Sequence, residues 1–234
     1  MPVLYVVATP IGNLEDISLR ALCVLKRVRL IAAEDTRTTR RLLNAYNIKT
    51  PLISYHEHSK KAKLNYLLDY LKKEDLALVS EAGTPGLSDP GYELIVAAIE
   101  HGISVVPIPG ASAVLAALVV SGLPTDQFLY VGFLPRRKGR RRRLLSSIAD
   151  EPRTIVVFET PQRLQEALGD IEEVLGNRRL CVCRELTKVH EEIFRGRVSE
   201  AREYFTEPRG EFSLVIEGKT RAWLKFQEKS QNPL

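Results

Sequence analysis

Apolar positions follow two rhythms along the 234-residue chain. One is the short continuous run: VLYVVAT (3–9), RLIAA (29–33), PLIS (51–54), LALVS (76–80) and ISVVPI (103–108). Each has the length of a strand buried on both faces, as in a parallel sheet. The other rhythm is helical: Leu64, Leu67, Leu68 and Leu71 fall at i, i+3, i+4, i+7, and Leu94, Ile95, Ala98 and Ile99 form a second stripe. Both segments predict a helix with one apolar face turned to a sheet. The resulting β-α-β-α order predicts an α/β fold, an open and largely parallel sheet covered by helices, with ligands beyond the carboxyl ends of the strands.

The pattern changes at SGLPTDQF (121–128), where Gly122 and Pro124 interrupt the apolar helix ASAVLAALVVS. A domain boundary is expected there, giving an N-terminal α/β domain (1–121), a C-terminal α+β domain with a mixed sheet (122–218) and a loosely held polar tail (219–234). The second domain reads as a strand from Phe128 to Gly132, a basic helical segment, the strand TIVVFE (154–159), and a helix with Leu164, Leu168, Ile171 and Leu175 inward. Alternating strand patterns follow in RLCVCREL, in EEIFRGRVS with a turn expected at Gly196, and in GEFSLVIEG. No internal repeat is visible.

With 44% hydrophobic residues the chain can bury a substantial core. No apolar run reaches the ~18 residues of a membrane span and no basic leader precedes MPVLYVVATP, so a cytoplasmic location without membrane association is expected. Cys23, Cys181 and Cys183 form no CxxC pair, which points to reduced thiols rather than disulfides or a zinc site. The formal net charge of +5 is locally concentrated. RRKGRRRR places Arg136, Arg137, Lys138, Arg140, Arg141, Arg142 and Arg143 within eight positions, as a phosphate-binding patch would. A solvated loop is the alternative, although the continuation LLSSI suggests a basic segment running into an amphipathic helix.

Three Gly/Pro clusters follow strands of the first half: TPIGNLED, EAGTPGLSDPG and PIPGASA. Glycine allows close approach of backbone and proline fixes the loop, so together they predict a cleft that offers main-chain N–H and C=O groups to a ligand. Neither GxxxxGK[ST] nor GxGxxG after the first strand is present, which argues against a nucleoside triphosphatase and an ordinary dinucleotide-binding dehydrogenase.

Eight segments, VATPIGNLEDISLRAL, AEDTRTTRRLL, SYHEHS, SEAGTPGLSDPG, VVPIPGASA, GFLPRRKGRRR, FETPQRL and RELTKVHEE, occur in an order that resembles the ribosomal small-subunit RNA cytidine 2′-O-methyltransferases, a branch of the tetrapyrrole methylase superfamily. The resemblance runs from about Val3 to Gly218. It implies a two-domain methyltransferase that takes S-adenosylmethionine between its lobes, works as a homodimer and methylates a ribose hydroxyl in the decoding region of 16S rRNA in the 30S subunit. By motif, the cofactor site would comprise Thr9, Pro10, Gly12, Asn13, then Glu81, Ala82, Gly83, Thr84 and Pro85, then Pro109, Gly110, Ala111, Ser112 and Ala113, with Phe133 and Leu134 as an apolar wall. Glu81 stands where the family usually has aspartate, and Phe158 and Thr160 where it has tyrosine and serine.

Methyl transfer from a sulfonium to oxygen is an in-line displacement that needs no metal; positioning does most of the work and a base must receive the hydroxyl proton. The polar ends of strands two and three offer candidates: Glu34 and Asp35 beside Arg37, and His56 beside Glu57. Asp35 reads equally as a helix N-cap, and the His56–His58 segment as a surface turn or, less readily, metal ligands. Asp89 reads as a turn residue, and Glu185 and Lys188 as a mutual pair or an RNA contact. The basic run, with Arg37 beside it in kind, favours RNA over a tetrapyrrole substrate. A ribosome-binding homologue without catalysis is the alternative of another class.

Overall fold

The computed structural model describes residues 2–56 and 61–220. It divides into two compact units, Met1–Ser112 and Ala113–Leu234. In the first, β1 (Val3–Val7), β2 (Leu30–Ala33), β3 (Leu52–Ser54), β4 (Leu76–Val79) and β5 (Ser104–Ile108) form one parallel sheet in the order β3-β2-β4-β1-β5. Each expected apolar run contains one strand.

The runs are continuous because both faces of the sheet are covered. Val7, Ile31, Ala33, Ala77 and Val79 pack with Ala21, Val24 and Leu25 of α1 (Leu19–Arg27) and Leu42 and Leu43 of α2 (Thr36–Ala45). The alternate positions Leu4, Ala32, Leu76 and Leu78 pack with Leu67, Leu68 and Leu71 of α3 (Lys61–Leu71) and Leu94 and Ala98 of α4 (Tyr92–Glu100). Pro107 lies within β5, which its place at the edge of the sheet allows. Glu57 and His58, and with them the possible histidine pair, lie outside the described residues.

The second unit begins with α5 (Ala113–Val120), which lies against β10 (Phe212–Ile216). The expected boundary at residue 121 therefore sits at the far end of a helix whose packing is with the second unit. The sheet has the order β6-β7-β10-β8-β9. Here β6 (Phe128–Phe133) and β7 (Thr154–Glu159) are parallel, while β10, β8 (Arg179–Arg184) and β9 (Glu192–Arg197) pair antiparallel. One face carries α6 (Lys138–Ser147), α7 (Pro161–Leu175) and α8 (Val198–Tyr204), with Leu145, Leu164, Leu168, Ile171 and Ala201 on Ile155, Val157, Val182 and Leu214. Buried Arg178 ties elements at one end of this core, donating to the carbonyls of Leu175 (2.8 Å), Ala149 (2.6 Å) and Glu217 (3.1 Å).

Gly196 does not turn the chain. It pairs with Leu180 inside β9, and α8 follows directly. A Cβ there would stand 2.5 Å from the Glu200 carboxylate, which accepts the Arg197 N–H at 2.7 Å, so glycine makes room for a capping group. Cys181 and Cys183 are buried with sulfurs 3.7 Å apart, whereas Cys23 is exposed. Of the expected polar tail, residues 221–234 lie outside the described residues.

Candidate functional site

Because β4, β1 and β5 are parallel neighbours, their carboxyl-end loops leave the sheet side by side. The three Gly/Pro clusters meet there. Thr9 and Gly83 exchange backbone hydrogen bonds (Thr9 N–H to Gly83 O 2.9 Å, Gly83 N–H to Thr9 O 3.0 Å), so the β1 and β4 loops are locked together. The β5 loop joins them through the Ala8 N–H, which donates to Ile108 O at 3.2 Å, and through the Thr84 hydroxyl, 3.5 Å from Ala111 O. A Cβ on Gly110 would approach Ala8 Cβ to 3.0 Å and Ala8 O to 3.3 Å. Gly83 has φ +74°, a conformation side chains disfavour. The rim is thus main chain at close quarters, which explains its residue types.

One polar group in the rim lacks a partner. Thr9 is buried, yet its hydroxyl makes no hydrogen bond among the described residues. Gly12, Ala82, Glu81, Pro109 and Gly110 are exposed, while Pro10, Thr84, Ala111 and Ser112 are partly covered and Pro85 is buried. Asn13 caps a short 3₁₀ turn (Leu14–Asp16) by accepting the Glu15 N–H at 3.1 Å. Ala113 opens α5 and belongs to the other unit.

A second feature adjoins the β4 loop. Glu34, just past β2, accepts the Glu81 N–H at 3.1 Å, so an acid on one strand end fixes the loop of its neighbour. Asp89, later in that loop, is half-buried beside both acids. Burial pushes its carboxyl up to about 7; the charges of Glu34 and Glu81 push the same way and a hydrogen bond with Ser80 opposes them. The preceding Ser88 has φ +62° and Gly91 has φ +130°, where a Cβ would strike Leu78 at 2.9 Å. This left-handed backbone sets where Asp89 stands.

Asp35 is an N-cap: its side chain accepts the Arg37 N–H at 2.7 Å, and that bond holds its carboxyl below the usual range, a poor state for a base. His56 is exposed two residues beyond β3.

The basic run leads into α6 as expected: Arg136 precedes the helix, Arg137 is its N-cap, and the remaining cations lie in its first turns. Its cations divide. Arg141 is buried: its Nε donates to Asp170 of α7 at 2.7 Å, its Nη2 is ion-paired with the same carboxylate at 2.7 Å, and Nη2 donates to Glu166 at 3.3 Å. Arg142 pairs with Asp170 at 3.3 Å and with Glu173. The two are thereby committed to the helix pair, and Arg141 is withdrawn from the cationic surface. Arg136, Arg137, Lys138, Arg140 and Arg143 are exposed, and no ion pair engages them among the described residues. The N-terminal turn of α6 carries only positive charge, with no acid and no side-chain cap, opposite to what the helix dipole favours. A bound polyanion would relieve this. In the first unit Arg37 is exposed and lies 3.6 Å from Asp35.

Phe133 and Leu134 separate. Phe133 is 52% exposed, whereas Leu134 is 1% exposed and fills the second unit's core, so the Leu134 side chain walls no cleft. Glu185 and Lys188 pair at 2.9 Å, and Lys188 also reaches Glu211 at 3.0 Å. Thr160 precedes α7 and Phe158 lies on β7. Asp89 is the residue the sequence pattern undervalued, because SDPG reads as a turn and the acids that bias it come from elsewhere. No group of three or more metal-ligating side chains occurs, and no helix is long and apolar enough to cross a membrane, among the described residues.

Residues 3–202 match the family of Tetrapyrrole (Corrin/Porphyrin) Methylases. The chain is 51% identical over 218 residues to a protein of Halalkalibacterium halodurans named Ribosomal RNA small subunit methyltransferase I, covering 92% of this chain and 75% of that one. In structure it is similar to a diphthine synthase (TM-score 0.76, 13% identity, 96% of this chain and 93% of that chain). It is also similar to the uroporphyrin-III C-methyl transferase of Thermus thermophilus complexed with S-adenyl homocysteine (TM-score 0.65, 19% identity, 93% and 97%).

Proposed function

The chain belongs to the ribosomal RNA small subunit methyltransferase I family within the tetrapyrrole methylases, and from that premise we propose that it methylates the 2′-hydroxyl of a cytidine in the decoding region of 16S rRNA, on the 30S subunit and as a homodimer. S-adenosylmethionine is the cofactor and supplies an electrophilic methyl group on a sulfonium centre.

The residues present fit that cofactor. The interlocked rim of Thr9, Gly83, Thr84, Gly110 and Ala111 offers main-chain groups, the Thr9 hydroxyl awaits a partner, and Gly110 leaves space that a side chain would take. Thr9 to Asn13, Glu81 to Pro85 and Pro109 to Ala113 would hold it. The observation that carries the reading is this convergence of three connections in one unit, in a chain that also presents on Arg136–Arg143 five exposed cations with no ion pair among the described residues, for RNA phosphates.

For proton removal we assign Asp89. At neutral pH a carboxyl poised near 7 both accepts a proton readily and is substantially ionised, the combination a general base needs. Glu34 acts on it from the side, by charge and by holding the Glu81 backbone. Asp35 organises α2, and His56 lies at the same end of the sheet.

The test gives purified protein, labelled S-adenosylmethionine and undermethylated 30S subunits, followed by digestion of the rRNA to nucleosides. Label in 2′-O-methylcytidine is the expected result; label in a base, in protein or in an added tetrapyrrole, or no transfer at all, sinks the proposal. Thr9→Val should separate ligand binding from folding. Removing an unsatisfied buried hydroxyl leaves the apoprotein equally stable or about 1 kcal/mol more so. Calorimetric titration should show weaker cofactor binding, by about tenfold, if that hydroxyl serves the ligand.

A further inference from the structure

The strand β6 carries an irregularity that changes where its aromatic residues point. Tyr130 is opposite Val156 and Gly132 opposite Val157, so Val131 is an extra residue, a β-bulge, and Gly132 has φ +75°. In a regular strand Tyr130 and Phe133, three apart, would face opposite sides. The bulge restores them to one side: Phe133 is paired with Phe158, and Phe158 lies two residues after Val156 on β7, on the face opposite Ile155 and Val157 of the helix-covered core. The three rings form one edge-to-face group, Tyr130–Phe158 at 5.4 Å and Phe133–Phe158 at 5.6 Å between centroids. Phe158 is the centre, and it holds Phe133 in place while Phe133 remains 52% exposed at the end of an edge strand.

The next side chain, Leu134, returns to the core, and after Pro135 come the exposed Arg136, Arg137 and Lys138. An exposed, pre-ordered aromatic face is therefore joined by two residues to a row of exposed cations. Apolar aromatic surface beside concentrated positive charge matches the two parts of a single-stranded nucleotide, a flat base and its phosphate. We propose that Phe133, buttressed by Phe158 and Tyr130, is a stacking platform for an unpaired base of the substrate RNA, with Arg136, Arg137 and Lys138 holding the adjoining phosphates. This rests on the rRNA reading above and names the contact by which a single-stranded nucleotide is held. It also assigns Phe133 to the nucleic acid rather than to the cofactor.

The experiment measures binding of a fluorescently labelled short single-stranded oligocytidylate to the full chain by anisotropy, across a series of salt concentrations. Phe133→Ala and Phe133→Leu should both weaken binding about tenfold, since leucine keeps the apolar bulk but not the π face. Their dependence on salt should match wild type, and Phe133→Trp should bind at least as well as wild type. Arg136→Ala and Arg137→Ala should instead each lower the log–log salt slope by about 0.7. Calorimetry with S-adenosylmethionine should give the same affinity for wild type and Phe133→Ala.

Phe133→Leu binding like wild type overturns stacking. Loss of cofactor affinity in Phe133→Ala with oligonucleotide binding intact overturns the assignment to RNA and returns the ring to the cofactor. If the wild type itself fails to bind both the oligonucleotide and 30S subunits, the rRNA reading falls and the platform with it. A circular-dichroism melt of each variant shows whether it is folded; should Phe133→Ala not fold, the comparison of Phe133→Leu with Phe133→Trp decides alone.

Discussion

Asp89→Asn is expected to lower the methyl-transfer rate on 30S subunits by about 10²- to 10⁴-fold, the range for loss of a general base, while making the protein more stable at alkaline pH. Both effects come from one carboxyl. Its value near 7 in the folded chain lies above the ordinary 3.8, so between about pH 4 and pH 7 the folded state binds the proton that the unfolded state has released. Stability therefore falls as pH rises through that window and levels off above it. Allowing for water that still reaches this half-buried group, the loss is about 2 kcal/mol at pH 8. Asparagine keeps the shape without the charge, so its thermal midpoint should exceed wild type by a few degrees at pH 8 and match it near pH 4. Wild-type single-turnover rates should climb roughly tenfold per pH unit below 7 and flatten above, and the variant's residual rate should lack that rise. A variant that turns over within threefold of wild type with an unchanged pH profile removes Asp89 from proton transfer. One that is slow but shows no alkaline gain in stability indicates that the carboxyl is not strained as described.

The separation between what was and was not legible in the sequence follows from how far each feature reaches along the chain. The β1, β2, β3, β4 and β5 runs were visible because burial on both faces writes itself as continuous apolar stretches, and the three loops because close main-chain contact demands Gly and Pro at fixed places, as Gly83 and Gly110 show. Asp35 as a cap was legible as one of two alternatives, since a cap is a local event. Asp89 was not, because its state is set first by burial in the folded loop and then by the charge of Glu34, fifty-five positions away on a neighbouring strand end. The alternation that makes a strand readable also misled at Gly196, where glycine accommodates the Glu200 carboxylate and no turn is made. At β6 the unpaired Val131 shifts alternation by one, and the only local sign of it is Gly132, whose φ of +75° accompanies the bulge. The basic run was read as a single surface although the helical period held a correction. Leu145 is buried, and four positions earlier on the same face stands Arg141.

That buried arginine carries the second large effect. Asp170→Ala is expected to destabilise the second unit by about 3–5 kcal/mol, because it leaves the Arg141 guanidinium in the core with only the exposed Glu166 to meet it. The Nη1 of Arg141 already lacks a partner among the described residues, so there is little slack in its hydrogen bonding. The ion pair is not the most stable way to join α6 to α7. Two charges taken out of water regain only part of their hydration, so Arg141→Met with Asp170→Leu should restore stability to wild type or above. Denaturant melts of the two single variants and the double variant measure the coupling directly. The same set tests the partition of the basic run. The folded double variant has lost one arginine of the seven-cation segment, yet its salt slope for oligocytidylate should equal wild type, because Arg141 never faced solvent. Arg140→Ala, one residue away and exposed, should lower that slope by about 0.7 with little change in stability. Equal losses of slope at both positions would mean that Arg141 leaves Asp170 to meet RNA, and a harmless Asp170→Ala would mean that the pair does not anchor the helix that presents the remaining cations.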